Sequence, residues 1–190
     1  HAKRNNIPVV YAGTSSVHGD KYLNPYTFTK WQAEEVVKMY SNLFNIPSCI
    51  ARFYNVYGPY QATEGAYCNV LGIFEKQYRE GRPLTITGDG EQRRDFVHAE
   101  DVAMGMIKCM EAMAGAIDMV HNGRSYEFGT GVNYSINEIA DAFGSNYPTK
   151  YIDATPGEMR ETLCMVTGLK ELIGWESKNN IIDYIQEKLV

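Results

Sequence analysis

The stretch IPVVYAGTSSV, Ile7 to Val17, decides the fold: a short apolar run gives way to Gly13, Thr14, Ser15 and Ser16. A buried parallel strand reads as such a run, and ligands approach parallel sheets at the carboxyl ends of their strands. A buried parallel strand opening into a site is therefore expected here. Downstream, Asn24 is placed to cap a helix with Pro25 at its first position. Val36, Val37, Tyr40, Leu43 and Phe44 give that helix an apolar face. IPSCIARFYNVYGP, Ile46 to Pro59, reads as a second strand closed by Gly58-Pro59. A helix from about Asn69 to Glu80 follows, stopped by Gly81 and Pro83, then a short strand and turn in PLTITGDG. HAEDVAMGMIKCMEAM reads as a helix with acidic residues in its first turn, SYEFGTG as a strand, and SINEIADAFG as a helix with a Ser135–Glu138 capping box. KYIDA, TGLKELIGW and NNIIDYIQEKLV complete the chain. Strands alternating with helices predict an α/β fold around a mainly parallel sheet.

With 190 residues the chain can hold one substantial core, or a main domain with a smaller lobe. A net charge of −5 argues against general nucleic-acid binding, which needs a basic face, but leaves room for a local anion pocket. No apolar run approaches the ~18 residues a membrane span needs. Cys49, Cys68, Cys109 and Cys164 are scattered without a C-x-x-C pair and read as buried, reduced thiols of a cytoplasmic protein. His1, His18, His98 and His121 lack ligand spacing, so no metal site is expected.

NPYTFTK, Asn24 to Lys30, puts a phenol and an ammonium one helical turn apart. A nearby positive charge favours tyrosinate and brings Tyr26 toward the working range of a base. A surface pair is the plain alternative, since Y-x-x-x-K is common by chance. The hydroxyl of Thr14, at a strand end, can bond a substrate oxygen and relay a proton to Tyr26. In RFYNVYGP, Asn55 can orient a sugar or phosphate, with Phe53 and Tyr54 as flat surfaces or as core. In GDGEQRRDFVHAEDVA a tight turn precedes two arginines that can grip a diphosphate or lie in solvent.

Together VVYAGTSSVHGD, NPYTFTK, ARFYNVYGP, LTITGDGEQRRDFVHAEDVA, YEFGTGVNYSINEIA and TPGEMRETLCMVTGLKELIGW resemble the extended short-chain dehydrogenase/reductase family, specifically its NAD-dependent nucleotide-sugar epimerases and dehydratases. The resemblance implies the C-terminal portion of a Rossmann-like doubly wound parallel sheet, plus a smaller α/β substrate-binding lobe. Residues 1–65 would belong to the first and 66–190 mainly to the second, with about 92–112 returning to the first. It makes Thr14, Tyr26 and Lys30 catalytic, Tyr26, Lys30 and Phe53 neighbours of the NAD cofactor (or its phosphorylated form), and Thr14, Asn55, Asn69, Thr85, Thr87, Arg94 and Arg160 contacts of a nucleotide-sugar. A homodimer through the Tyr26 helix and the Asn69 region is also implied.

Thr14 is followed by Ser15 and Ser16, where similar dehydratases carry carboxylates for eliminating water. A UDP-sugar 4-epimerase is therefore the leading expectation, with a dehydratase or keto-sugar reductase as the enzymatic alternative. The family's Gly-rich G-x-x-G-x-x-G loop is not in this sequence, which reads as a fragment beginning near the family's middle. Taken alone it is expected to bind the cofactor poorly or not at all, which keeps open a non-catalytic nucleotide-sugar-binding role. The connection from Asp20 to Asn24 is shorter than usual, Met165 stands where an Asp is usual, and His18 where a Tyr is usual.

Overall fold

The computed structural model describes residues 1–65, 68–115, 123–154, 157–165 and 168–189. His121 and parts of TPGEMRETLCMVTG fall outside them. In chain order the elements are α1 (Ala2–Asn5), β1 (Val9–Thr14), a 3-10 turn (Ser15–His18), α2 (Pro25–Phe44), β2 (Ser48–Phe53), β3 (Asn55–Tyr57), α3 (Val70–Arg79), β4 (Leu84–Thr87) and β5 (Arg93–His98). There follow α4 (Ala99–Ala114), β6 (Arg124–Phe128), β7 (Asn133–Ser135), α5 (Ile136–Asp141), β8 (Thr149–Ile152), α6 (Leu169–Ile173) and α7 (Ile181–Lys188). The expected α/β alternation is present. The strands form a parallel sheet β1-β2-β6, a sheet β3-β5-β7 in which β7 runs antiparallel to β5, and a parallel pair β4-β8.

Three expectations are corrected. β1 is not buried along its length: only Gly13 and Thr14 are, because it is the outer strand of its sheet among the described residues. Ile46–Pro59 is two strands. The chain breaks at Tyr54, whose amide donates to the Phe128 carbonyl, and β3 then enters the second sheet. The apolar stripe of α2 faces outward: Val36, Tyr40, Leu43 and Phe44 are exposed, while Thr27, Glu34 and Ser41 are the buried residues. Glu34 and Ser41 exchange water for protein partners on that inner line, whereas Thr27 Oγ1 is buried with none among the described residues. Ser41 Oγ, for example, donates to the Ile46 carbonyl at 2.9 Å. Of the cysteines, Cys49, Cys109 and Cys164 are buried and Cys68 is half-buried; all four are free thiols.

Caps follow the sequence. Asn24 and Asn69 accept from Thr27 N and Gly72 N at the starts of α2 and α3. Both halves of the Ser135–Glu138 box are present. β5 was hidden behind its arginines. Its Asp95, fully buried, accepts from Thr130 N, Thr130 Oγ1, Gly131 N and Cys164 N, fastening β5 to the segments after β6 and before α6. Such multiple charge-assisted bonds let a buried carboxylate persist. Among the described residues, no helix is long and apolar enough to cross a membrane, and no group of three or more His, Cys, Asp or Glu residues could hold a metal ion.

Two apolar clusters form. One packs Cys49, Ala51, Val102, Phe128 and Trp175 between the first sheet, α4 and α6. The other packs Leu71, Phe74, Ile86, Ile139 and Ile185 among α3, α5, α7 and the shorter strands. In the first, Gly105 lets α4 meet the ring of Phe128: an added Cβ would stand 2.7 Å from Phe128 Cδ1 and 3.0 Å from Trp175 Nε1. Gly105→Ala should therefore lower stability by about 1–3 kcal/mol through overpacking, despite its better helix propensity. Urea denaturation checks this, and an unchanged midpoint would show that the ring contact is not limiting.

Candidate functional site

The carboxyl end of β1 opens into a cavity of about 320 Å³, whose lining includes Thr14, Ser15, Ser16, Tyr26, Tyr54, Asn55, Arg94, Met159 and Thr162. Thr14 is buried, accepts from Ser16 N and donates to Ser16 Oγ at 3.1 Å, which shapes the strand end into a hydroxyl-lined turn. Tyr26, in the first turn of α2, is 49% exposed. Lys30 Nζ donates to the Ala12 carbonyl at 2.8 Å and lies 5.2 Å from the centre of the Tyr11 ring, pinning α2 to β1. Burial pushes the Tyr11 phenol up, reinforced by Glu34 and Tyr26.

The structure thus brings Thr14, Tyr26, Asn55 and Arg94 to one cavity. Arg94 is 9% exposed and donates to Glu158 Oε1 at 2.8 Å; burial holds its guanidinium below the usual range against the opposing pull of that carboxylate. Asn55 Nδ2 donates to the Asp95 carbonyl at 3.1 Å, so its orientation is fixed. The other expected residues do not line this cavity. Lys30 sits one turn behind Tyr26. Phe53 packs edge-on against Phe128 at the end of β2. Asn69 caps α3 and donates to the Val56 carbonyl. Thr85 bonds Gln77, and Thr87 accepts from Gln92. Arg160 grips Asp89 through two bonds of 2.7 and 3.0 Å, which hold that carboxyl down at about 2.

Sequence reading missed the chain of charge beneath the cavity. Glu34, wholly buried on α2, takes three hydrogen bonds from Arg52 of β2. Arg52 also donates to Glu127 of β6 at 3.2 Å. His18 Nε2 lies 2.9 Å from the other Glu127 oxygen, near enough to pair when protonated though not aligned as a hydrogen bond. Burial alone would lower the Arg52 guanidinium, but Glu34 and then Glu127 raise it above its ordinary value. A signal was available: Tyr26, Lys30 and Glu34 recur every four residues on one helix face. Met159 and Thr162 carried no local signal, since they reach the cavity from the other end of the chain.

Removing one member of a buried pair strands the other. Arg52→Met should cost about 3–5 kcal/mol, while Glu34→Leu combined with Arg52→Met should recover most of it. Chemical denaturation of the single and double variants checks this; equal losses in both would mean the pair itself is not what Arg52 satisfies.

Residues 1–122 match the NAD dependent epimerase/dehydratase family. The chain is 29% identical over 195 residues to the uncharacterized UDP-glucose epimerase YtcB of Bacillus subtilis, covering 95% of this chain and 58% of that protein. It is 27% identical over 177 residues to the UDP-glucuronate 4-epimerase of Thermodesulfobacterium geofontis, covering 90% and 53%. A solved UDP-glucuronic acid 4-epimerase of Bacillus cereus, in complex with UDP-glucuronic acid and NAD, matches with a TM-score of 0.79 and 27% identity over 94% of this chain and 59% of that one. The chain spans a little over half the length of these proteins.

Proposed function

Because the chain belongs to the NAD dependent epimerase/dehydratase family, we propose that it carries the acid/base and sugar-binding part of a UDP-sugar 4-epimerase. The observation favouring epimerisation over dehydration is that, among the described residues, the lining of the cavity holding Thr14 and Tyr26 includes no carboxylate; Glu127 and Glu161 line an adjoining cavity that shares Ser15, Tyr54, Met159 and Thr162 with it. Elimination of water needs an acid and a base beyond the tyrosine; Ser15 and Ser16 offer only hydroxyls.

In this reading Tyr26 removes the sugar hydroxyl proton and later returns it. Thr14, already turned by its bonds to Ser16, holds the same oxygen. Lys30 uses one of its donors on Ala12, leaving others for a cofactor ribose. Bound NAD would supply reversible hydride chemistry at the sugar carbon, with Lys30 and Phe53 the residues that would hold its nicotinamide end. The residues present fit the nicotinamide end of that cofactor: Lys30 is held beside β1, and the ring of Phe53 stands at the end of β2. A second reading, favoured by the polar lining that Asn55 and Arg94 give the cavity, is nucleotide-sugar binding without turnover. Asn55 and Arg94 are placed to orient the nucleotide-sugar, while Asn69, Thr85, Thr87 and Arg160 would contribute only where the ligand displaces their present partners. Residues 1–65 with about 92–112 as one lobe agree with the cluster that joins Cys49 and Ala51 to Val102 and Cys109.

The test is conversion of UDP-glucose, UDP-glucuronate and their N-acetyl relatives by the protein that carries this chain. Tyr26→Phe should lower turnover at least ~100-fold while UDP-sugar binding changes little, because a proton carrier is lost with little contact area. If every sugar emerges unchanged from the unmutated protein, the epimerase reading fails; saturable UDP-sugar binding alone would then support the second reading.

The outward Val36, Tyr40 and Leu43 of α2 support a homodimer built on that helix, and the free thiols suit a cytoplasmic setting. Leu43→Glu should convert a dimer to monomer in light scattering while leaving the fold intact; a wild-type chain that is monomeric at high concentration rules this interface out.

A further inference from the structure

A second cavity, of about 320 Å³, adjoins the one around Tyr26, and the two share Ser15, Tyr54, Met159 and Thr162 in their walls. Three of these four are set in place. Ser15 is buried in the 3-10 turn after β1. Thr162 Oγ1 accepts from Asn55 Nδ2 and from Asp95 N, both at 3.4 Å. Tyr54 is fastened through its amide to the Phe128 carbonyl, and burial, then Glu127, push its phenol up, so it stays neutral.

Met159 differs from them, because an unbranched thioether is held by packing alone and adapts its shape easily. The residues on either side of it are tied down by ion pairs: Glu158 to Arg94 at 2.8 Å, and Arg160 to Asp89 at 2.7 and 3.0 Å. The side chain itself reaches the turn after β1, where an added Cβ on Gly19 would stand 3.3 Å from Met159 Cε and 3.6 Å from its Sδ. A movable side chain on a fixed backbone therefore spans the boundary between the two spaces.

Beyond Met159 the walls are of two kinds. Leu163 and Met165 are apolar; Glu127 and Glu161 are acidic. Glu127 shares the Arg52 guanidinium with Glu34, which puts two carboxylates on one cation. His18, 2.9 Å from Glu127, adds a positive charge only when protonated. Glu161 takes its bond from a neutral group, Asn133 Nδ2, at 2.7 Å. Among the described residues no arginine or lysine lines this space. It carries an excess of negative charge, which opposes an entering anion and leaves an uncharged group with an apolar end unopposed.

We propose that Met159 is a specificity-determining residue: it partitions the two cavities and, turned aside, admits an uncharged sugar substituent such as an acetamido group into the second, while a carboxylate is refused. This rests on the reading of the Tyr26 cavity as a UDP-sugar site. The acetamido methyl would meet Leu163 and Met165, whereas a uronate would bring its carboxylate beside Glu127 and Glu161 without a cation to receive it.

Isothermal titration calorimetry with UDP-glucose, UDP-N-acetylglucosamine and UDP-glucuronate on the protein that carries this chain tests this, with conversion followed in parallel. UDP-N-acetylglucosamine should bind about tenfold more tightly than UDP-glucuronate, a gap that Glu161→Gln should narrow. Met159→Phe, which fills the boundary with a rigid ring, should weaken UDP-N-acetylglucosamine about tenfold and leave UDP-glucose nearly unchanged, while Met159→Ala should leave both bound. Retained UDP-glucose binding also shows that the variants fold. The proposal is overturned if UDP-glucuronate binds as tightly as the acetamido sugar, or if neither Met159 variant changes the ratio of acetamido sugar to glucose binding. Binding in the expected order without conversion removes the epimerase reading and leaves this one standing; no saturable binding of any UDP-sugar removes both.

Discussion

The bidentate pair of Glu34 with Arg52, closed over Gly13, is the constraint on which the Tyr26 site depends. A Cβ at residue 13 would sit 2.6 Å from Glu34 Oε1 and 2.9 Å from Arg52 Cγ, so α2 and β2 can only clasp through a glycine in β1. Buried pairs add little net stability compared with apolar residues of the same size. What this one supplies is rotation. With Glu34 turned inward, Lys30 one turn earlier meets the β1 backbone, and Tyr26 a further turn back comes to the end of the strand. The same pair accounts for the outward apolar stripe of α2, since a helix that turns Glu34 inward with Thr27 and Ser41 presents its opposite side outward.

Much of this was legible from residues. Asn24-Pro25, Asn69 and Ser135–Glu138 announce helix starts because caps are local chemistry: a side-chain oxygen within three residues of a free amide. Strand ends at Thr14 and Asn55 were legible from the switch of apolar to small polar types. What was not legible depends on distant partners. Val36, Tyr40 and Leu43 show helical period, but period gives a face and not its direction; Arg52 and Glu127 decide that from other strands. β5 was obscured because Arg93, Arg94 and Asp95 look like a solvated turn until partners far along the chain are in place. Likewise Asn69, Thr85 and Thr87 were expected at a ligand, and their side chains are occupied with caps and inter-element bonds.

Asp95 carries the second organising role. One carboxylate orders the backbone after β6 and the approach to α6, while the carbonyl of the same residue receives Asn55. Floor and wall of the cavity are thereby joined through a single residue of β5. Arg94, its neighbour, points into the cavity from that anchored strand rather than from a loop, and a side chain on a rigid element is held more closely than one on a mobile connection.

Both arginines that could meet a diphosphate already hold carboxylates, Arg94 that of Glu158 and Arg160 that of Asp89. An incoming anion would enter an exchange, in which what matters is the difference between its grip and that of a tethered competitor. Free phosphate, with its small contact area, competes poorly against tethered carboxylates. A ligand that also fills the cavity with its sugar brings additional contacts to the contest. In the proposed reading Glu158 and Asp89 would act as place-holders for the two guanidiniums, trading raw anion affinity for discrimination between bare phosphate and phosphate attached to a sugar.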